Sequence, residues 1–135
     1  MSITGNIPSE LGLDCRWETK NGSMWLTPEA LDVRRMAAFM RWHGARFITI
    51  TAMQLPGTQT IRMDYHWDLD GELLTFTTQA ADNRIAAISD LCEAAGWVER
   101  EIHEYFAVDF DGQEYEPLLL RAGDPVGINL HKEDE

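Results

Sequence analysis

Glu99 and His103 stand four residues apart, a spacing that on a helix brings two metal-ligating or acid–base side chains to one face. Glu101 and Glu104 lie beside them, and His66 is a further titratable candidate elsewhere in the chain. A metal needs several ligands converging on one point. No second histidine stands at the four-residue spacing that helical zinc sites use, and Glu101 and Glu104 point around the helix. Acid–base work by Glu99, His103 and His66, in a small stand-alone enzyme, would need a concave pocket joining all three. The competing reading is a salt-bridge cluster, inside the fold or at a subunit boundary. Cys15 and Cys92 are far apart and form no CxxC pair, which excludes a zinc ribbon, an iron–sulfur ligand set and a disulfide scaffold. Both read as buried free thiols. There is no nucleophile elbow, phosphate loop or dinucleotide fingerprint, so no catalytic, metal-binding or cofactor-binding residue is assigned.

The elements that must position these residues follow from periodicity. Residues 1–23 are polar and turn-rich and read as a loosely structured N-terminal arm. Met24-Trp25-Leu26 is a short apolar strand, and Thr27-Pro28-Glu29 supplies an N-cap, a first-turn proline and an early acid. Val33, Met36, Ala37 and Met40 then recur at helical spacing up to Gly44, a C′ glycine. This places His43 at a helix C-terminus. Arg46 to Met53 is apolar on both faces, as an interior strand would be. Ile61, Met63, Tyr65, Trp67 and Leu69 alternate with Arg62, Asp64, His66 and Asp68, and Asp70-Gly71 turns the chain into a returning strand from Leu73 to Thr78. His66 thus falls on the polar face and reads as solvated. From Asn83 the period becomes helical, with Ile85, Ile88, Leu91, Cys92, Ala95, Ile102 and Phe106 in one stripe and a break or kink at Gly96. Glu99 falls inside that stripe, where a carboxylate is costly unless it meets a cation or backbone donors. Arg100 and Glu104 are placed to pair. From Asp109 the chain reads as largely irregular, with His131 in its tail. The expected architecture is α+β, helices packed on an antiparallel sheet in a single domain of residues 24–121, with an irregular acidic tail over 122–135.

Composition narrows the function classes. A chain of 135 residues with 44% hydrophobic and 10% aromatic content can bury a core unaided. Net charge is −12, which argues against nucleic acid or anionic lipid as direct partners. Eleven acids from Glu99 to Glu135 face only Arg100, Arg121 and Lys132, either a solvated surface or a docking face for a more basic subunit. The start of the chain reads as no signal peptide, and no apolar run nears the ~20 residues of a spanning helix. The expectation is a cytoplasmic protein that reaches a membrane only through partners. Trp17, Trp25, Trp42, Trp67 and Trp97 read as core or interface anchors.

The segment Ala94-Ala95-Gly96-Trp97-Val98-Glu99-Arg100-Glu101-Ile102-His103-Glu104-Tyr105-Phe106 resembles the signature of the 30 kDa subunit family of respiratory NADH dehydrogenase, complex I. In that family an alanine-rich turn and a tryptophan lead into Glu-Arg-Glu, then an acid and two large apolar residues. The helix start Leu26–Leu31, the strand Phe47–Ala52 and Tyr65-His66 follow in the family's order. The family's Gly-His-Pro turn and arginine-led apolar run are here Gly112-Gln113-Glu114 and Pro117-Leu118-Leu119-Leu120. With the short C-terminal region, this looks more like the small subunit of an energy-converting (group 4) nickel–iron hydrogenase, or the N-terminal domain of a formate hydrogenlyase large subunit.

The resemblance implies a subunit without a redox centre. It would pack against a hydrogenase-like large subunit and iron–sulfur subunits, peripheral on the cytoplasmic side of the inner membrane. Iron–sulfur clusters, and nickel–iron in a hydrogenase, would sit on those partners. Trp97, Glu99, Arg100, Glu101, Glu104 and Phe106 are the signature residues it assigns to subunit contact. A free-standing oligomeric binding module is the alternative from another class.

Overall fold

The computed structural model describes residues 3–113. Among them, five strands form one sheet: β1 (Glu18–Lys20), β2 (Ser23–Leu26), β3 (Arg46–Gln54), β4 (Ile61–Leu69) and β5 (Glu72–Ala80), in the order β1-β2-β5-β4-β3. Neighbours run antiparallel except β2 and β5, which pair in parallel with Met24 opposite Leu74. A parallel ribbon of β6 (Arg84–Ala86) and β7 (Asp109–Asp111) lies apart from the sheet. The helices are α1 (Ile7–Glu10), α2 (Val33–Trp42) and α3 (Glu93–Phe106).

The alternation in β4 sets the layering. Ile61, Met63, Tyr65, Trp67 and Leu69 are all buried, and Trp67 donates its indole N–H to Met36 Sδ of α2 at 3.2 Å. The helices therefore cover that face, with α3 packed along β3. The hairpin into β5 closes on Asp70 at φ 52° and Gly71 at φ 86°, the left-handed pair that a tight primed turn requires. At the end of α2 the N–H of Ala45 reaches Met40 O and that of Gly44 reaches Arg41 O, with Gly44 at φ 79°. This is the glycine-terminated helix end that the sequence implies.

Four local expectations give way. Helix α2 does not start at Thr27-Pro28: its N-cap is Asp32, whose carboxylate accepts from Arg35 N at 3.1 Å. Both sites carry capping chemistry, and only the later one abuts the apolar stripe. The strand expected inside the sheet, β3, pairs only with β4 among the described residues, and Ile48 and Met53 are exposed upon it. The expected loose arm is folded: a 3-10 turn over Ile3–Asn6 leads into α1, Ile7 is fully buried, and Trp17 donates to Thr4 O at 2.8 Å. Its apolar residues Ile3, Ile7 and Leu11 recur every fourth position among polar neighbours, too briefly to stand out. Finally, residues 83–92 are not helical. Ile85 and Ile88 fit helical spacing, but Arg84–Ala86 pairs with Asp109–Asp111, and the helix begins only at Glu93 and runs through Gly96. Residues expected to be irregular after Asp109 thus begin with a strand; the acidic tail lies outside the described residues.

Because Asp32 and not Thr27 caps α2, Asp32→Ala should lower stability by about 1 kcal/mol, while Thr27→Ala should stay within ~0.5 kcal/mol of the parent. Denaturant midpoints of the two variants measure this; equal losses would contradict the assigned helix start.

Candidate functional site

Helix α3 carries every signature residue, and its amphipathic pattern sorts them. Ala95, Glu99 and Ile102 face the core, so a carboxylate stands where the stripe calls for an apolar residue. Glu99 is 0% exposed. Its Oε2 accepts from the backbone N–H of Ile88 at 2.8 Å, and its Oε1 from the Gln113 side-chain amide at 2.9 Å. The Ser89 side chain also hydrogen-bonds it. Of the two partners expected for this carboxylate, a cation or a backbone donor, the backbone donor is the one found.

Burial raises the Glu99 carboxyl to about 7, with the Ile88, Gln113 and Ser89 donors opposing it and the charge of Asp90 adding to it. Desolvation therefore outweighs three favourable hydrogen bonds. Gln113 also reaches Gly96 O at 3.4 Å, and a Cβ at Gly96 would touch Ser89 Cβ at 3.4 Å. One carboxylate thus fastens α3 to the turn before it and to the end of β7.

The other signature residues divide between inside and outside. Glu104 is buried, and Glu101 and Phe106 are half-buried. Trp97 is 60% exposed, and the Arg100 guanidinium lies over its ring at 5.5 Å from the centroid while Nε reaches Gly96 O at 3.4 Å. The Arg100 guanidinium is thus engaged by the Trp97 ring and the Gly96 carbonyl. His103 turns towards the end of the helix, its Nδ1 2.9 Å from Val108 O and 3.5 Å from an Asp109 carboxylate oxygen. It braces the point where Ala107 adopts φ 55° and the helix stops.

His66 is not solvated as expected. It is half-buried, with Nδ1 2.8 Å from Thr75 Oγ1 and Nε2 3.0 Å from Thr51 Oγ1, and burial lowers its pKa. It points away from the helices, opposite its neighbour Tyr65, which is fully buried on the side where the Glu99 charge is felt. The sheet therefore separates His66 from Glu99, and the three acid–base candidates are not brought together. Among the described residues no group of three or more His, Cys, Asp or Glu side chains is placed to hold a metal. Cys92 is buried and Cys15 half-buried; both are free, and burial pushes both thiols up.

Sequence reasoning missed Ile88, Ser89 and Gln113 as partners of Glu99. Gln113 was visible only as a departure from the family's Gly-His-Pro turn, and the turn at Ile88-Ser89 was hidden by helical spacing.

A carboxyl raised from 4.5 to about 7 binds a proton more tightly folded than unfolded. Its contribution to stability is complete below the unfolded value and is lost as pH rises through that window, an effect of about 3 kcal/mol. Glu99→Gln keeps a neutral side chain of the same shape. Its stability relative to the parent should therefore rise by about that amount between pH 4.5 and 7.5. Chemical denaturation across this range tests it, and a flat difference would refute the assignment.

The fold and the helix can be compared with known proteins. A chain of the solved structure of the membrane-bound sulfane sulfur reductase (MBS), an archaeal respiratory membrane complex, superposes with a TM-score of 0.76 at 21% identity, covering 93% of this chain and 78% of that one. The trypsin-resistant fragment (1-134) of Nqo5 superposes with a TM-score of 0.63 at 18% identity, covering 82% of this chain and 95% of that one. Comparison with curated protein sequences returns no match. The family described as "Respiratory-chain NADH dehydrogenase, 30 Kd subunit" matches residues 26–133, the stretch that holds β3 to β5 and the Glu-Arg-Glu helix. The chain belongs to the 30 kDa subunit family of respiratory-chain NADH dehydrogenase.

Proposed function

We propose that this chain is a non-catalytic assembly subunit of a membrane-associated, complex I-like oxidoreductase. Family membership supports the class of complex, and the observation that carries the assembly role is the division of α3. Its inner face is fixed by the buried Glu99, and its outer face presents Trp97 stacked with Arg100. Tryptophan and arginine held on a rigid element are the residue types that anchor protein interfaces. The partner is a hydrogenase-like large subunit, with iron–sulfur subunits close by. The redox groups belong to those partners: iron–sulfur clusters, with nickel–iron if the complex is an energy-converting hydrogenase and not a quinone reductase. Attachment is peripheral, on the cytoplasmic side of the inner membrane. No helix among the described residues is long and apolar enough to cross a membrane, which accords with attachment through partners.

The test is affinity purification of the tagged chain from solubilised membranes, with partners identified by mass spectrometry. The large subunit should co-purify, and Trp97→Ala should weaken the association by about 2 kcal/mol or more. The isolated chain should show neither oxidoreductase turnover nor stoichiometric iron, nickel or zinc. A stoichiometric metal in the isolated chain, or no oxidoreductase subunit among the co-purified proteins, would overturn this reading.

A further inference from the structure

The sheet face turned away from the helices has a charge arrangement unlike the rest of the surface. Cross-strand register places Lys20 and Glu18 of β1, Arg62, Asp64 and Asp68 of β4, and Arg46 of β3 on this one face. They form ion pairs among themselves: Lys20 with Glu18 at 3.6 Å, Arg62 with Asp64 at 3.1 Å, and Arg46 with Asp68 at 3.1 Å. The face therefore has no net charge, and the chain's −12 lies elsewhere. Between the pairs stand apolar side chains that water reaches: Leu73 is 45% exposed, Met53 48% and Ile48 39%. Leu73 and Ile48 border a concavity of ≈ 300 Å³ whose walls also include Trp25, His66 and Thr75.

The walls of this concavity are held firmly. His66 is bonded through both ring nitrogens to Thr51 and Thr75. The Trp25 ring meets His66 edge-on at 5.9 Å, with Lys20 and Arg62 at 5.8 and 5.9 Å from its centroid. Fixed walls mean that little side-chain freedom is lost when the concavity is filled. Apolar side chains with charges already cancelled describe the centre of a protein interface, where unpaired charge is depleted and a pocket receives one anchoring side chain. A basic surface or an anionic one would gain no attraction here. A second copy of this chain would bring another −12 against the first.

We propose that the open sheet face is a second docking surface, occupied by an uncharged apolar surface of a neighbouring subunit that seats one bulky aliphatic or aromatic side chain between Trp25, His66 and Leu73. This rests on the reading of the chain as an assembly subunit, and it adds a contact on the side of the sheet opposite α3.

Two measurements on the full-length chain test it. Leu73→Cys should react readily with a maleimide in the isolated chain, and at least tenfold more slowly in the assembled complex. Slow labelling of the isolated chain would mean that residues 114–135 or a second copy already cover the face, and light scattering separates these; either overturns the proposal. Equal labelling in both states also overturns it. In the second measurement, Leu73→Lys together with Ile48→Lys, both outside the core, should leave the melting temperature unchanged and cut recovery of the identified large subunit at least tenfold. If recovery stays at the parent level while Trp97→Ala abolishes it, the open face is not an interface, and the assembly reading stands without it. If neither set of changes affects recovery, the assembly reading itself fails.

Discussion

A carboxylate at the centre of a small apolar core imposes its own geometry on everything around it. Glu99 has no water to lean on, so each oxygen must find a donor from the protein, and the donors come from two stretches far apart in the chain. Ile88 belongs to the turn between β6 and α3, and Gln113 follows β7. The β6–β7 ribbon keeps those two stretches side by side, and α3 lies between them in sequence. Glu99 joins the His103 contact with Val108 O and the Gln113 contact with Gly96 O in fixing the rotation of α3 about its axis. That rotation decides which signature residues face outward. The buried acid and the exposed Trp97–Arg100 pair are thus two ends of one arrangement, and the hydrogen bonds to the first help keep the second facing outward.

The sheet follows a different logic. Its helix-facing side is a continuous apolar layer of large residues, and its open side handles charge by cancelling it locally. Surface ion pairs of this kind contribute little to stability, and their effect is on the field that a partner meets. The described residues therefore present two unlike surfaces: the Trp97–Arg100 face of α3, and a neutral, partly apolar face on the sheet. On the proposed assembly role, such differences would keep each neighbour to its own side.

Strong period-two alternation and hairpin chemistry made β4, β5 and their turn legible, because those signals are local and the residues obey a single rule. The core stripe and glycine end of α2 were legible for the same reason. What could not be read depended on partners distant in sequence. Arg84–Ala86 is a strand only because Asp109–Asp111 lies beside it. Both β3 faces carry apolar residues although it pairs only with β4 among the described residues: α3 packs on one side, and Ile48 and Met53 stand exposed on the other. His66 looked solvated because alternation identifies a face but not how crowded it is, and the threonines that enclose it sit on the two flanking strands. At the candidate site the anomaly was plain, an acid in an apolar stripe, and the need for donors followed from desolvation. The identity of those donors did not, since Gln113 approaches through tertiary packing alone.

The parallel pairing of β2 with β5 has a consequence for how the molecule comes together. Met24 lies opposite Leu74 and Leu26 opposite Phe76, so this seam joins positions half a hundred residues apart, whereas β4 and β5 meet across a two-residue turn. Closing the longer loop costs more chain entropy, and the cost falls before any contact rewards it. The β3–β4–β5 meander is joined by local contacts, whereas the N-terminal hairpin depends on this distant seam. Without β2, the flank of β5 would be a bare row of backbone donors and acceptors open to any other extended chain. The short hairpin of β1 and β2 acts as the cover for that flank.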